Sequence, residues 1–533
     1  MDDVIVKRMD HLGLVAGVVK DLGVIEQIDA HLPGEQKVST GQAIVSMVLN
    51  GLGFTDRPLS LTAEFFKEIS VPRLLGADVT YEDLNRHRLG RCLDEVAEYG
   101  VSRLFSQIAS HVVVLEKVST QTRVLDTTSF SVTGRKYEDT DENEITITHG
   151  FSKDHRPDLM QVVSELVVST DGGVPLMLMN HDGNSNDSKI FRERSEKLAD
   201  ELSGCDGRLI ADSKLYCQEN IKNLEKFTFV TRIPETNKEA KALINQAVDK
   251  EDGWQSLDET HFFQTSTVTH FGLKQNWIVF YSTESLSRCS KTINKKVAKE
   301  KSEIEKQIYH FHASAFGCQD DAQKAADKIT KNWKYHAVDS SKTNQIDHFE
   351  GVGRPKKDAV PTSRTYSMTI SFSEKTEVNK KLSRIKACFI LGTNDLNVLP
   401  NELLNEYKSQ GSVERGFRFL KNPSFFTSSF FLKKPSRINA LIGIMAIALL
   451  IYSIAERRLR ASIRESEEPF VDPVYGKTSK PTLKRVMQLM LNINEVWTSY
   501  DGVSRNVITG ITDFRRQIIE MISVSALQIY SIN

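Results

Sequence analysis

An α/β fold with a mixed sheet is predicted, preceded by a helical domain, interrupted by an inserted subdomain and followed by further helices. Three observations lead to it. Apolar residues recur at three- and four-residue steps up to about position 115, as in Ala43 to Leu49, which is a helical period. From about 121 the pattern becomes β-branched and alternating, and strand-like runs then alternate with helical ones to about 231, the order of an α/β domain. At roughly 150 residues per domain, a chain of 533 needs more than one core.

The first segment, 1–115, contains a helix over Ala43 to Leu49 capped by Ser39-Thr40 and a second over Leu93 to Val112. It offers no catalytic constellation and reads as a binding or scaffolding module. Val124 to Phe130, Ile145 to Thr148 and Gln161 to Thr170 are three successive strands of an antiparallel meander, which Val174 to Met179 extends. Ser188 to Leu202 is an amphipathic helix. Arg208 to Ala211 is a short apolar run of the buried parallel type, followed by a helix from Leu215 and a strand from Phe227 to Thr231. These make a core at 116–232.

Residues 233–385 break the pattern with polar strands such as Trp277 to Tyr281, a charged helical stretch from Lys291 to Ile329 and a Gly353-Arg354-Pro355-Lys356-Lys357 turn. They form the insertion. Strand character returns at Lys386 to Leu391, so the core resumes over 386–465, and 466–533 is a C-terminal helical region. The apolar stretch Ala440 to Ala455 is shorter than the roughly 20 residues that span a bilayer and reads as a buried helix, so no membrane partner is expected.

Hydrophobic residues at 40% and charged ones at 26% exclude collagenous, low-complexity and wholly disordered classes. Six cysteines without a C-x-x-C pair fit a reducing compartment, and Met1-Asp2-Asp3 opens no signal-peptide apolar region; a cytoplasmic location is expected. A net charge of -1 excludes a uniformly basic nucleic-acid coat. Locally the balance differs, with eleven Lys/Arg against two acids between Tyr407 and Arg464.

Two acids end apolar runs: Asp126 after Val124-Leu125 and Asp212 after Leu209-Ile210-Ala211. A buried carboxylate needs a partner, a proton or a cation, although either aspartate alone also suits a turn or helix cap. A third acid, Glu414, stands in a segment where 407, 410, 414 and 421 share one helical face beside an apolar stripe of Val413, Phe417 and Leu420. Gly411 is the competing signal, a helix breaker that would take Tyr407 off that face. Three carboxylates from two strands and a helix suit Mg²⁺ or Mn²⁺, which prefer oxygen ligands and keep positions open for water and phosphate.

Two weaker signals stand apart. Gly353 to Lys357 has the core of a minor-groove hook, against the commoner reading as a turn, and His310-x-His312-x5-Cys318 matches no standard zinc spacing.

In these motifs the sequence resembles the DDE transposases of bacterial insertion sequences, in the cut-and-paste superfamily with a Tyr-Arg-Glu-Lys signature, similar to insertion sequence four. Val124-Leu125-Asp126-Thr127-Thr128 resembles its first motif, Ala211-Asp212-Ser213-Lys214-Leu215-Tyr216 its second, and Tyr407-x2-Gln410-x3-Glu414-x6-Lys421 its third, with Gln410 in place of the arginine. The segments Gly150 to Asp158 and Glu414 to Pro423 are similar as well. The resemblance implies a ribonuclease H-like core and a metal-dependent enzyme that cleaves DNA at its element's ends and joins the 3'-hydroxyls to a target.

By the same resemblance Asp126, Asp212 and Glu414 are the catalytic metal ligands, holding Mg²⁺ or, as a substitute, Mn²⁺. Tyr407, Gln410 and Lys421 are implied contacts to the DNA backbone, and Arg418, on another face of the helix than Lys421, is counted with them. The implied partners are double-stranded DNA with terminal inverted repeats, target DNA and a second copy of the chain. The helical 1–115 segment is expected to bind DNA ends, and 466–533 to dimerise or touch DNA. A nuclease without strand transfer and a decayed DNA-binding protein are the alternatives.

Overall fold

The structure is a computed structural model that describes residues 4–53, 59–132, 137, 145–186, 189–194, 207–224, 227–351, 353, 358–421, 432–500 and 503–531. The chain packs as two compact units: residues 1–231 with 271–273 and 402–533, and residues 232–270 with 274–401.

The first unit opens with a strand, β1 (Val4–Arg8), and continues in helices. The Thr40–Leu52 helix starts where Ser39 and Gln42 cap each other reciprocally: the Gln42 amide donates to Ser39 Oγ at 3.1 Å and the Ser39 amide to Gln42 Oε1 at 2.9 Å. The single helix expected over 93–112 is two, Arg86–Tyr99 and Val101–Leu115, because Gly100 adopts a φ of 103° that a side chain would resist.

Five strands then build the sheet of this unit: β2 (Thr122–Val132), β3 (Met160–Ser169), β4 (Pro175–His181), β5 (Arg208–Ala211) and β6 (Thr228–Arg232). Their order is β4-β3-β2-β5-β6, antiparallel across β4, β3 and β2, and parallel across β2, β5 and β6. The sheet is mixed, as the strand pattern predicts. Ile145 to Thr148 is not a full strand: only Thr148 bridges to Gln161, and the Gly183 amide donates to the Thr146 carbonyl at 3.0 Å. Of the helix expected over 188–202, residues 189–194 are helical; the rest lies outside the described residues. The helix expected from Leu215 is a short 3-10 turn, Ser213–Leu215, followed by a separate helix, Gln218–Asn223.

The second unit holds β7 (Gln255–Ser256), β8 (His261–His270), β9 (Leu273–Ser282), a long hairpin of β10 (His336–His348) and β11 (Ser363–Glu374), and β12 (Phe389–Thr393). Strand β12 pairs antiparallel with β9, so the strand assigned from sequence to the resumed core clusters with the insertion, which runs to 401 and not to 385. The charged helical stretch is two helices, Thr283–His312 and Gln319–Thr330, whose Ile304, Ile308, Phe311, Ala322 and Ala326 share a small core with Trp333, Met368 and Ile370. The His-x-His-Cys signal is absorbed by structure, since the Ile370 amide donates to His312 Nε2 at 3.0 Å and Cys318 Sγ caps the following helix through the Asp321 amide. Arg354 to Lys357 lie outside the described residues.

Returning to the first unit, the apolar run becomes the middle of a 31-residue helix, Pro435–Glu465, buried among the N-terminal helices, β4 and the Asp513–Ile522 helix. It is long and apolar enough to cross a membrane by composition, but 89% of its apolar window is covered by protein. The last segment is not all helical: β13 (Phe470–Asp472) pairs with β14 (Gly476–Thr478), and β15 (Asn494–Tyr500) with β16 (Val503–Thr509). Strand β15 also pairs with β1, joining the two terminal segments in one sheet. The helix over 435–465 is tied by Arg437 to Asp94 at 2.6 Å, Arg457 to Asp171 at 2.8 Å, and Arg458 to Asp21 at 2.8 Å and to Glu116 at 2.6 Å.

Candidate active site

The parallel pairing of β2 with β5 ends at Leu125 opposite Ala211. One residue further along the two chains stand Asp126 and Asp212, so the alignment that buries two apolar runs also places two carboxylates on adjacent strands, about 5 Å apart at the backbone. Both are fixed locally. Asp126 Oδ1 accepts from the Thr127 amide at 2.7 Å, and Asp212 Oδ1 accepts from the Lys214 amide at 2.8 Å while its carbonyl accepts from Thr231 Oγ1 at 2.8 Å. Asp212 therefore caps a turn while also lining a cleft, whereas Asp126 lies within β2 and lines the same cleft.

The third carboxylate arrives on the Gly411–Leu420 helix, which buries Val413, Phe417 and Leu420 and leaves Glu414 exposed. Glu414, Asp126 and Asp212 line one open cleft of about 820 Å³, together with Phe151, Lys153, Asp154, Lys214, Arg418 and Lys421 among others. The expected continuous face from 407 to 421 is broken. Tyr407 belongs to a separate helix, Pro400–Lys408, the chain turns at Ser409-Gln410, and Gln410 is 8% exposed; neither Tyr407 nor Gln410 is in the cleft lining. The preceding helix is docked by Arg208 at the start of β5, whose Nη1 donates to both carboxylate oxygens of Glu406 at 2.6 and 2.5 Å. Arg418, placed from sequence on a face away from Lys421, lines the same cleft with it because Lys421 falls just past the helix end, at its C-cap.

Sequence reasoning singled out the acids but not the loop that closes the site. In it Lys153 Nζ donates to Thr127 Oγ1 at 2.6 Å and stands 3.9 Å from Asp126 Oδ1, and the adjoining Asp154 takes Lys421 Nζ at 2.8 and 2.9 Å. Burial pulls the Lys421 ammonium below its usual range; Asp154 works against that shift, and nearby Lys153 adds to it. Phe151 is 81% exposed at the cleft, with the Lys214 ammonium over its ring at 5.8 Å. The sequence signal for this loop is the resemblance of the Gly150 to Asp158 segment to family sequences.

Residues 118–451 match the family described as transposase DDE domain. The chain belongs to the DDE transposase family. Residues 4–110 of the transposase match a second family, described as a domain of unknown function (DUF4277). Among solved structures it resembles the piggyBac transposase synaptic complex with hairpin DNA, over 92% of this chain and 81% of that one, at 10% identity and a TM-score of 0.38. No curated protein matches the chain. The protein is thus a DNA transposase, an enzyme that cleaves DNA.

Members of this family generally use divalent metals. Among the described residues no group of three or more His, Cys, Asp or Glu side chains is gathered closely enough to hold an ion. The donor set nevertheless fits: three carboxylates line a common cleft wide enough for hydrated ions, and oxygen donors are what hard divalent cations take. The cleft presents donors in one place without a preformed cage.

Proposed function

We propose that Asp126, Asp212 and Glu414 are the metal-binding catalytic triad of this transposase, in a ribonuclease H-like arrangement, and that they hold Mg²⁺, with Mn²⁺ as a substitute. The observation that carries the reading is the register step: two strands bring two carboxylates side by side, and a helix adds the third across the same cleft. A bound divalent cation supplies activation of the attacking oxygen and stabilisation of the leaving one.

The chain's own residues orient the DNA. Lys421 and Arg418 meet phosphates at the cleft rim; Tyr407 stands off the cleft lining and Gln410 is buried, so neither takes a phosphate contact there. Water is the first nucleophile, and the freed 3'-hydroxyl attacks the target phosphodiester in the second step. No protein side chain needs to bond to DNA. The substrates are inverted repeats at the element's ends, bound in the cytoplasm by at least two copies of the chain. The 1–115 region is the reader of the ends, and 466–533 contacts DNA or the second copy.

Replacing Asp126, Asp212 or Glu414 by Ala tests the assignment with end-labelled element DNA. Cleavage is expected to disappear, while gel-shift affinity in chelator stays within a few-fold of wild type because the basic rim remains. Wild-type cleavage by any of the three variants would sink the triad.

A further inference from the structure

Lys153 and Asp154 are neighbours in sequence with opposite charges, and each addresses the other kind of charge in the cleft. The loop that carries them is firmly seated. The Lys153 amide donates to Ser129 Oγ at 3.1 Å, Gln161 Nε2 donates to the Phe151 carbonyl at 3.2 Å, the Arg156 amide donates to Ser152 Oγ at 3.1 Å, and His155 turns the chain at a φ of 57°. From that seat the Lys153 ammonium bonds the carbonyl and hydroxyl of Thr127, the residue after Asp126, and comes within 3.9 Å of the Asp126 carboxylate. Asp154 holds Lys421 with both oxygens.

These contacts have a physical reason. Carboxylates converging on one cleft repel each other, and an ammonium beside them lowers that cost. A lysine that burial disfavours needs a carboxylate, which Asp154 provides. Both positions compete with the reaction's own charges: a divalent cation approaching Asp126 meets the Lys153 ammonium, and a phosphate approaching Lys421 meets Asp154.

We propose that Lys153 and Asp154 are the resident counter-ions of the cleft, and that they set how tightly it takes a divalent cation and a DNA phosphate. The inference deepens the reading of Asp126 as a cation ligand and rests on it. Lys153 and Asp154 are positioning residues: they touch the groups that bind, and they yield to metal and DNA.

The test is Mn²⁺ binding to the metal-free full-length chain, read from the electron paramagnetic resonance signal of free Mn²⁺. Lys153→Met keeps the length of the side chain and removes its charge, and is expected to tighten Mn²⁺ binding roughly three- to tenfold, the scale of a partly exposed charge pair. Lys153→Arg keeps the cation and is expected to bind like wild type. A damaged site would weaken binding, so tightening cannot come from misfolding. Unchanged or weaker binding by Lys153→Met, with Asp126→Ala clearly weakened, overturns the counter-ion role while leaving the triad intact. Wild-type Mn²⁺ binding by Asp126→Ala overturns the ligand reading itself, and this inference with it. For the second charge, Asp154→Asn in chelator is expected to bind a mixed-sequence duplex a few-fold tighter, a gain that the added Lys421→Ala removes. An unchanged affinity for Asp154→Asn overturns that half.

Discussion

The phosphate contact proposed for Lys421 depends on what its ammonium touches before DNA arrives. Its ammonium is already paired with Asp154, so binding a phosphate exchanges one anion for another. Lys421→Ala should therefore slow cleavage more than it weakens DNA binding, and should lower the slope of log affinity against log salt by about one unit. Filter binding across a salt series, run beside single-turnover cleavage, checks both. Tyr407 lies off the cleft lining, and Tyr407→Phe is expected to retain cleavage with no protein attached to DNA in denaturing gels. A covalent adduct at Tyr407 would contradict the proposed water and 3'-hydroxyl nucleophiles. The acids were legible in sequence because a carboxylate at the end of an apolar run is costly without a partner. The loop was not, because Lys153 and Asp154 are ordinary solvent residues until the fold folds them back onto Thr127 and Lys421.

At the scale of elements, the basic segment separates into parts that only structure could distinguish. Arg457 and Arg458 bond acids at the ends of the N-terminal helices and the turn after β3, and Arg460 pairs with Glu456 within its own helix. Their charge is spent inside the unit. Replacing Arg458 by Ala is expected to destabilise the protein by about 1–3 kcal/mol, the range of charged hydrogen bonds, without selectively removing cleavage; thermal melting and activity per folded molecule report the two separately. The count of basic residues was visible in the sequence; the partners of Arg457 and Arg458, hundreds of positions away, were not.

Strand β3 carries a second ionic element. Glu165, on β3 opposite Thr127, is 2% exposed and binds both His181 and Arg194. Burial alone would raise its pKa, but the bonds to His181 and Arg194 prevail and hold it below its ordinary value of 4.5. A depressed carboxylate stabilises the fold fully above about pH 4.5 and ceases to do so as pH falls through the lower, folded-state value. Melting temperature should accordingly drop on acidification below that point, and Glu165→Gln should flatten part of the drop. Glu165→Ala, which strands Arg194 in the interior, is expected to lose about 3–5 kcal/mol.

In the molecule as a whole, the division of the two units after 231 falls where polar strands and a charged helical stretch interrupt the α/β pattern. The exit at 401 was misjudged, since the strand at 389–393 looks alike whether it belongs to the core or pairs with β9. Least legible was the meeting of the two terminal segments. Gly13 and Gly17 leave room on the first helix for Tyr530 and Ala526, and the Tyr530 hydroxyl accepts from the Leu14 amide at 3.0 Å and donates to the Asp10 carbonyl. A methyl group on Gly17 would meet Ala526 Cβ at 2.5 Å and its backbone at 2.6 Å. Gly17→Ala is thus expected to cost about 1–3 kcal/mol and to expose the last helix to limited proteolysis before any other part of the unit.

The same contact sets an order of events during synthesis. Asp10 and Tyr530 are 520 positions apart, and a ribosome adding about 5–20 residues per second takes roughly half a minute to two minutes to cover that distance. Throughout that interval the helix Leu12–Asp21 has left the ribosome without the helix that covers it, and one apolar side of it stays open to water and to chaperones. The Leu12–Asp21 helix therefore completes its packing only after Tyr530 has been added, and a chain released before that carries the open face with it.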